Sequence, residues 1–212
     1  MALGTLVALA SAPVLCGLLA RQVMGERLSR GWAGATACAV TGCALLLAPG
    51  ADAAADPLGV ALALVCGACY AVYTVSAKRV LSAGVDPLAF LAGSVVTGAL
   101  VLAPVLAAGA GQLASARGLA LVAWLGLAAT ALGYVLFARG LARVPAAAAG
   151  TLSLAEPLTA SLLGIVALGE RPSAAGAVGA VLLAAGLALA ALASYSSGRP
   201  AAAAIPERPL ST

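Results

Sequence analysis

The chain has 212 residues, of which 63% are hydrophobic and 8% are charged, and it contains no histidine. A soluble domain of this size needs a polar surface that so few charged residues cannot supply, so the composition indicates an integral membrane protein. The net charge of +4 does not indicate nucleic-acid binding, because the basic residues occur singly between apolar stretches and form no basic face.

Seven apolar stretches, taken in chain order, are each long enough for a helix to cross a bilayer. They lie near residues 3–22, 31–48, 58–77, 87–108, 117–138, 145–168 and 172–195. No positive charge precedes the first, which stays apolar through Ala20, so we interpret it as a span and not as a signal peptide. The Pro-, Ala- and Arg-rich segment after Tyr195 is expected to be disordered. The predicted fold class is all-α, with about seven transmembrane helices.

All five cysteines fall inside apolar stretches: Cys16, Cys38, Cys43, Cys66 and Cys69. Cys66 and Cys69 have the spacing of a metal or redox pair, but no second such pair and no histidine completes a site. We interpret the cysteines as small packing residues. No metal site and no cofactor is predicted.

Lysine and arginine residues orient the predicted bundle. The connections after spans one, three and five and the C-terminal segment hold nine of them, and the other connections hold two, Arg117 and Arg171. The basic side of a membrane protein is the cytoplasmic side. We therefore expect a cytoplasmic C-terminus and an external loop at residues 50–57. Ten arginines against one lysine are typical of a GC-rich bacterial gene, which indicates the bacterial cytoplasmic membrane.

Part of the sequence recurs after an offset of 144 residues. Pro13 matches Pro157, Gly42 matches Gly186, and the motif Gly-Glu-Arg-x-Ser occurs at residues 25–29 and again at 169–173. Five spans separate the two copies, and an odd number of spans reverses the orientation. The pattern predicts an inverted repeat, which is typical of alternating-access transporters.

Glu156-Pro157, Leu162-Leu163 and the second Gly-Glu-Arg-x-Ser motif closely resemble the end of an EamA domain in the drug/metabolite transporter (DMT) superfamily. Residues 13–47 resemble the end of a preceding EamA domain, and the third span is similar to the first helix of that fold. The resemblance implies two halves of five helices each, with both ends cytoplasmic. It is specific to the superfamily and carries no information about the substrate.

On this reading, residues 1–50 are the last two helices of a first EamA repeat, 51–195 are a complete second repeat, and 196–212 are a cytoplasmic tail. Three helices of the implied first half are then absent before Met1. We interpret this as a misplaced start codon or a truncated gene, with an authentic seven-span product as the alternative.

Glu156 is the only ionisable residue deep inside a predicted span. A carboxylate in hydrocarbon costs about 3 kcal/mol, so it should face a cavity or a partner. One interpretation is a site that couples protons or binds a substrate amine. The other is a neutral carboxyl group that hydrogen-bonds helix backbone exposed by Pro157.

Hydroxyl-bearing side chains share one face of span three and one face of span five. They are the other candidates for a substrate pathway: Tyr70, Tyr73 and Ser76 on span three, and Thr130 and Tyr134 on span five. Packing between helices is an equal alternative, and Tyr134 could be an interface anchor. Trp32, Phe90 and Tyr195 lie at span ends and are expected in the aromatic belt. Glu26 and Glu170 are expected to cap the helices that follow them.

Three classes of function fit these features. The favoured one is a secondary transporter, most simply an exporter, that moves small metabolites or drug-like solutes by alternating access; the chain has no P-loop for ATP hydrolysis. The alternatives are a truncated, non-transporting membrane remnant or assembly partner and, less favoured, an integral-membrane enzyme. The expected partners are a small-molecule solute and the lipid bilayer, a homo-oligomer is left open, and nucleic acid is excluded.

Overall fold

A computed structural model describes residues 2–48, 56–113 and 115–197, and every regular element in these ranges is a helix. The helices are α1 (Ala2–Met24), α2 (Arg30–Leu46), α3 (Pro57–Ser82), α4 (Pro87–Leu113), α5 (Ala116–Ala123), a π-helical segment (Trp124–Leu132), α6 (Gly133–Leu141), α7 (Ala146–Leu152), α8 (Ala155–Leu168) and α9 (Ala174–Ser197). Most of the loop predicted to be external and the C-terminal segment from residue 198 lie outside the described residues.

The seven predicted spans correspond to seven helical rods. Six stretches of the described chain are long and apolar enough to cross a membrane, and α2, with 17 residues, is a shorter seventh. The fifth rod joins α5, the π-helical segment and α6, and the sixth joins α7 and α8. Large apolar side chains on α4 and the fifth rod are exposed, such as Val101 and Leu127 at 72% each, as expected for lipid-facing helices. The predicted all-α membrane fold is confirmed.

Short polar side chains cap the N-termini of α2, α3, α4 and α9. Asp56 accepts hydrogen bonds from the backbone N–H groups of Leu58 and Gly59 at the start of α3, and Asp86 does the same at the start of α4. Ser29 and Ser173 cap α2 and α9. These N-caps satisfy backbone donors that have no partner inside the helix.

Two ends of the bundle are distinguished by their loops. Residues 25–29, 83–86 and 142–145 lie at one end, which we call the basic end. Residues 115 and 169–173 lie at the other, which we call the opposite end. Lys78 at the end of α3 contacts the 141–142 backbone, whereas Leu46 at the end of α2 shares a cavity with residues 170–173. The two Gly-Glu-Arg-x-Ser motifs are therefore on opposite ends.

Helices α2 and α9 pack backbone against backbone in antiparallel orientation. A Cβ atom added to Gly179 would lie 2.7 Å from the carbonyl oxygen of Gly42, and one added to Gly186 would lie 2.8 Å from the Cα atom of Ala39. These distances leave no room for a side chain. Small residues thus allow the close approach that stabilises helix pairs in membranes.

An approximate two-fold axis relates α2 to α9. The Cys38 thiol donates a hydrogen bond to the Leu182 carbonyl oxygen over 3.3 Å, and these positions are 144 residues apart, which is the offset of the repeat. A residue can contact its own counterpart only near the rotation axis. The contact of Gly42 with Leu183 likewise has its counterpart in that of Gly186 with Ala39. These are the contacts of an inverted repeat.

Helix α1 packs against α3 and α7 and is the centre of a second layer. Cys16 and Ala20 of α1 form a buried cluster with Ala71 and Val75 of α3 and with the first residues of α7. Cys16 and Cys43 are buried, as expected for packing residues, whereas Cys66 and Cys69 are exposed on the surface of α3.

Candidate functional site

The sixth rod is not one continuous helix. Ser153 and Leu154 separate α7 from α8, and the N–H groups of Leu154 and Glu156 donate to the carbonyl oxygens three residues earlier, Thr151 and Ser153. The predicted span at residues 145–168 is present, and its helix is interrupted for two residues. Pro157 provides the reason, because it has no N–H to donate to Ser153 four residues earlier and its ring clashes with that carbonyl group.

Glu156 lies in the first turn of α8, directly after this break. An acidic residue at this position interacts favourably with the partial positive charge of the helix N-terminus. Its side chain is exposed, and no hydrogen bond joins its carboxylate to another described residue. The structure therefore places Glu156 directly after a tightened turn of the sixth rod, in which Ser153 and Leu154 keep right-handed helical backbone angles.

Hydroxyl groups of α3 and of the turn between α7 and α8 lie close together at the break. Tyr70 of α3 lies beside the Ser153 and Thr74 side chains, and the Ser153 hydroxyl donates to the Gly150 carbonyl oxygen over 2.8 Å. Thr74 is fully buried, yet its Oγ1 atom makes no hydrogen bond of normal geometry. A buried hydroxyl that lacks a well-formed hydrogen bond costs about 1–3 kcal/mol.

A second pair of hydroxyl groups lies on α7 and α2. Thr151 and Thr36 are buried, and their Oγ1 atoms are 2.8 Å apart. The sequence analysis did not single out Thr36, Thr74, Thr151 or Ser153. The position of Pro157 four residues after Ser153 was the signal that could have located the break and the groups around it.

Aromatic rings from α3, α4 and α6 form a group toward the basic end. The centroid of the Tyr73 ring is 6.1 Å from those of Phe90 and Tyr134 and 6.4 Å from that of Phe137. Edge-to-face and offset contacts at these distances are favourable. The structure thus brings together Tyr73 and Tyr134, two of the predicted pathway residues, and it adds Phe90, which lies in the first turn of α4, to this group.

Two other predicted pathway residues are not part of these clusters. Ser76 and Thr130 are exposed, and Thr130 lies in the π-helical segment. Within the described ranges, no three histidine, cysteine or acidic side chains are close enough to hold a metal ion.

At the basic end, side chains of α1, α2 and the loop between them bind the start of α7. The carboxylate of Glu26 accepts hydrogen bonds from the N–H groups of Ala146 and Ala147 over 2.8 and 3.1 Å. The Trp32 indole N–H donates to the Ala147 carbonyl oxygen, and the Cys16 thiol donates to that of Ala146. The expectation that Glu26 caps the helix after it is wrong, because Ser29 caps α2 and Glu26 caps a helix 120 residues away.

Each Gly-Glu-Arg-x-Ser motif lines a cavity. The cavity at the basic end has a volume of about 380 Å³ and contacts Glu26, Trp32 and Ala148. The cavity at the opposite end has a volume of about 340 Å³ and contacts Glu170 and Arg171, with leucine side chains along its wall. Glu170 does not cap α9, since Ser173 has that role.

Comparison with known proteins agrees with this architecture. The EamA-like transporter family matches residues 57–192, which is more than half of the chain. The uncharacterised transporter YwfM of Bacillus subtilis is 40% identical over 188 residues, which are 88% of this chain and 63% of the relative. The threonine/homoserine exporter RhtA of Escherichia coli is 38% identical over 159 residues, which are 69% of this chain and 50% of the relative.

A solved crystal structure that is 26% identical in sequence superposes with a TM-score of 0.71 and covers 91% of this chain and 69% of its own. The chain thus spans about half to two thirds of the length of the relatives it matches. The family match, the identity to transporters and the apolar helices together establish a multi-pass membrane protein. The chain belongs to the EamA-like transporter family of the DMT superfamily.

Proposed function

We propose that this protein exports small polar metabolites of the amino-acid type by alternating access, as a secondary transporter in the bacterial cytoplasmic membrane with its C-terminus in the cytoplasm. The basic end is then the cytoplasmic end, since lysine and arginine accumulate on that side. Residues 1–50 form the end of one EamA repeat and 51–195 form a complete second repeat. The proposed partners are the small-molecule solute, which binds at the site, and the lipid bilayer, which surrounds the protein.

The observation that carries the proposal is the break between α7 and α8. Transporters place irregular backbone only where protein or a water-filled cavity satisfies it, and such breaks commonly form the solute site. Here the break lies near Thr74, a buried hydroxyl beside the Tyr70 side chain, and two residues before an acidic side chain, Glu156. Hydroxyl groups and a carboxylate are suited to a solute that carries an amino group and further hydrogen-bonding groups.

The sequence similarity to a threonine/homoserine exporter supports the same solute class. A carboxylate can bind the solute ammonium group or carry a proton against the solute. Tyr73 and Tyr134 lie on the basic side of the break, so an inward-facing path would pass these rings. In this mechanism Tyr70, Tyr73 and Tyr134 line the path, and Ser76 and Thr130 lie on its exposed margin.

The test is solute counterflow in proteoliposomes that contain the purified chain. We expect exchange of labelled threonine or homoserine, and we expect Glu156→Gln to reduce it at least tenfold or to uncouple it from a proton gradient. Gln has nearly the same shape and can donate similar hydrogen bonds, so a purely structural role would survive the substitution. Asp86→Asn is the matched control, because it also removes one charge but keeps an effective N-cap at α4.

A second variant separates the buried hydroxyl from the carboxylate. Thr74→Val keeps the shape of the side chain and removes the hydroxyl, so we expect a higher KM for the solute without loss of folded protein. If Glu156→Gln and Thr74→Val both transport like the unchanged chain at every pH, the assignment of the site is wrong. If the chain catalyses no counterflow of amino acids or other small metabolites, the proposed function is wrong and a non-transporting role is favoured.

A further inference from the structure

The two Gly-Glu-Arg-x-Ser loops have the same backbone conformation. Gly25 and Gly169 both have a φ of +68°, a left-handed conformation that favours glycine. The N–H of Glu26 donates to the Ala20 carbonyl oxygen over 3.3 Å, and the N–H of Glu170 donates to that of Gly164 over 3.2 Å. Ala20 and Gly164 are themselves counterparts at an offset of 144 residues, so the loops are equivalent.

Their carboxylates, however, have different partners. Glu26 caps α7 through the N–H groups of Ala146 and Ala147, whose counterparts in the first repeat are the Ala2 and Leu3 positions of α1. The Glu170 carboxylate instead lies over Gly164 and lines the cavity at the opposite end. The two loops therefore have the same backbone, and the two ends differ in whether the glutamate of the loop caps a neighbouring helix.

Trp32 and its counterpart Gly176 show the same asymmetry. The Trp32 indole packs on Gly17 and donates to the Ala147 carbonyl oxygen, so it helps to hold α7 at the basic end. Gly176 has no side chain to hold α1 at the opposite end. Side chains of the first repeat thus bind the start of α7 at the basic end, whereas the Glu170 carboxylate at the opposite end lines a cavity.

An inverted repeat reaches its second state when the two halves exchange conformations. From this asymmetry we infer that Glu26 and Glu170 are alternate latches of the transport cycle: Glu26 closes the basic end by capping α7, and Glu170 closes the opposite end by capping the start of α1. The inference rests on the proposed function, because a latch has a role only in a transporter whose two ends open alternately. Each glutamate is a positioning residue for the gate and does not contact the solute.

The experiment measures the accessibility of each end without any solute. Single reporter cysteines are introduced at Ala148, which is 5% exposed and lines the basic-end cavity, or at Ala177, which lines the other, in a chain whose five native cysteines are replaced. A charged, membrane-impermeant maleimide is applied to vesicles of known orientation. Labelling rates are compared among the unchanged background and the variants Glu26→Ala, Glu26→Gln and Glu170→Ala.

We expect Glu26→Ala to raise the labelling rate at position 148 about tenfold, equivalent to about 1.4 kcal/mol, and to lower it at position 177. Glu170→Ala should leave position 148 protected and position 177 reactive. Glu26→Gln keeps one acceptor oxygen and should give a smaller change in the same direction. Opposed changes at the two positions distinguish an exchange of states from unfolding, which would raise both rates.

The latch is wrong if neither Glu26 variant gives opposed changes, or if Glu170→Ala has the same effect as Glu26→Ala. Because the readout needs no transport, the two proposals fail separately. Opposed changes in a chain that moves no solute would keep the latch and remove the proposed function. If the chain catalyses counterflow, and Glu26→Ala and Glu170→Ala change neither the counterflow nor the labelling rates, the proposed function stands and the latch is wrong.

Discussion

Gly42 shows how much depends on the absence of one side chain. A Cβ atom at Gly42 would lie 2.7 Å from the Gly179 carbonyl oxygen, which is backbone and cannot rotate away. We expect Gly42→Ala to lower the free energy of unfolding by about 1–3 kcal/mol, the usual range for overpacking. The measurement is reversible unfolding of the purified chain in mixed micelles, followed by circular dichroism.

Gly98→Ala is the control for this prediction. Gly98 lies in α4, and nothing is within 4 Å of the position where its Cβ would be. Since alanine is the better helix former, this substitution should be neutral or stabilise by up to about 1 kcal/mol. Equal effects of the two substitutions would contradict a close backbone contact between α2 and α9.

Lys78 connects two elements by a contact that is not a salt bridge. Its ammonium group donates to the carbonyl oxygens of Leu141 and Ala142 over 2.9 and 3.1 Å, at the C-terminus of α6. A cation at this place satisfies free carbonyl groups and interacts favourably with the helix dipole. We expect Lys78→Met to lower the free energy of unfolding by about 1–2 kcal/mol.

Arg79→Met provides the comparison, because Arg79 is the exposed neighbour of Lys78 and carries the same charge. Thermal unfolding in detergent should show a lower midpoint for Lys78→Met only. A similar shift in both variants would mean that loss of positive charge, and not loss of the contact with α6, is responsible.

At the scale of elements, the sequence predicted the positions of the spans better than their internal form. The limits of the rods follow from long apolar stretches and from the prolines, serines and aspartates between them. The π-helical segment at Trp124–Leu132 has no such signal, since it contains no proline and its one glycine, Gly126, is of a type that is frequent in membrane helices. The break at Ser153 did have one in Pro157, but Pro13 of α1 matches that residue in the repeat and lies inside a continuous helix.

The candidate site was also predicted only in part, because some of its residues have no distinguishing signal in the sequence. Glu156, Tyr70, Tyr73 and Tyr134 stand out because they are polar or aromatic in an apolar sequence. Thr74 and Ser153 do not, because threonine and serine are common in membrane helices and acquire a role only from their neighbours. Which hydroxyl lacks a partner depends on packing, and no pattern in one sequence contains that information.

For the whole molecule, the positive-inside rule gives a prediction that the structure makes easy to test. Ala83 and Ser115 are exposed in loops at the two ends of the bundle. With a cysteine at either position, an impermeant maleimide should label Ser115→Cys in intact cells and Ala83→Cys only in inside-out vesicles. The reverse pattern would place the C-terminus outside.

The contact between Cys38 and Leu182 has a mechanical consequence. A two-fold exchange of the halves maps this pair onto itself, so the distance between the two residues is the same before and after the exchange. In such an exchange the α2–α9 pair is the pivot, and α1 and the α7–α8 rod are the helices that tilt about it. A pivot must be rigid if a tilt of one helix is to move the other. The direct backbone contacts between α2 and α9, which involve no flexible side chains, provide that rigidity.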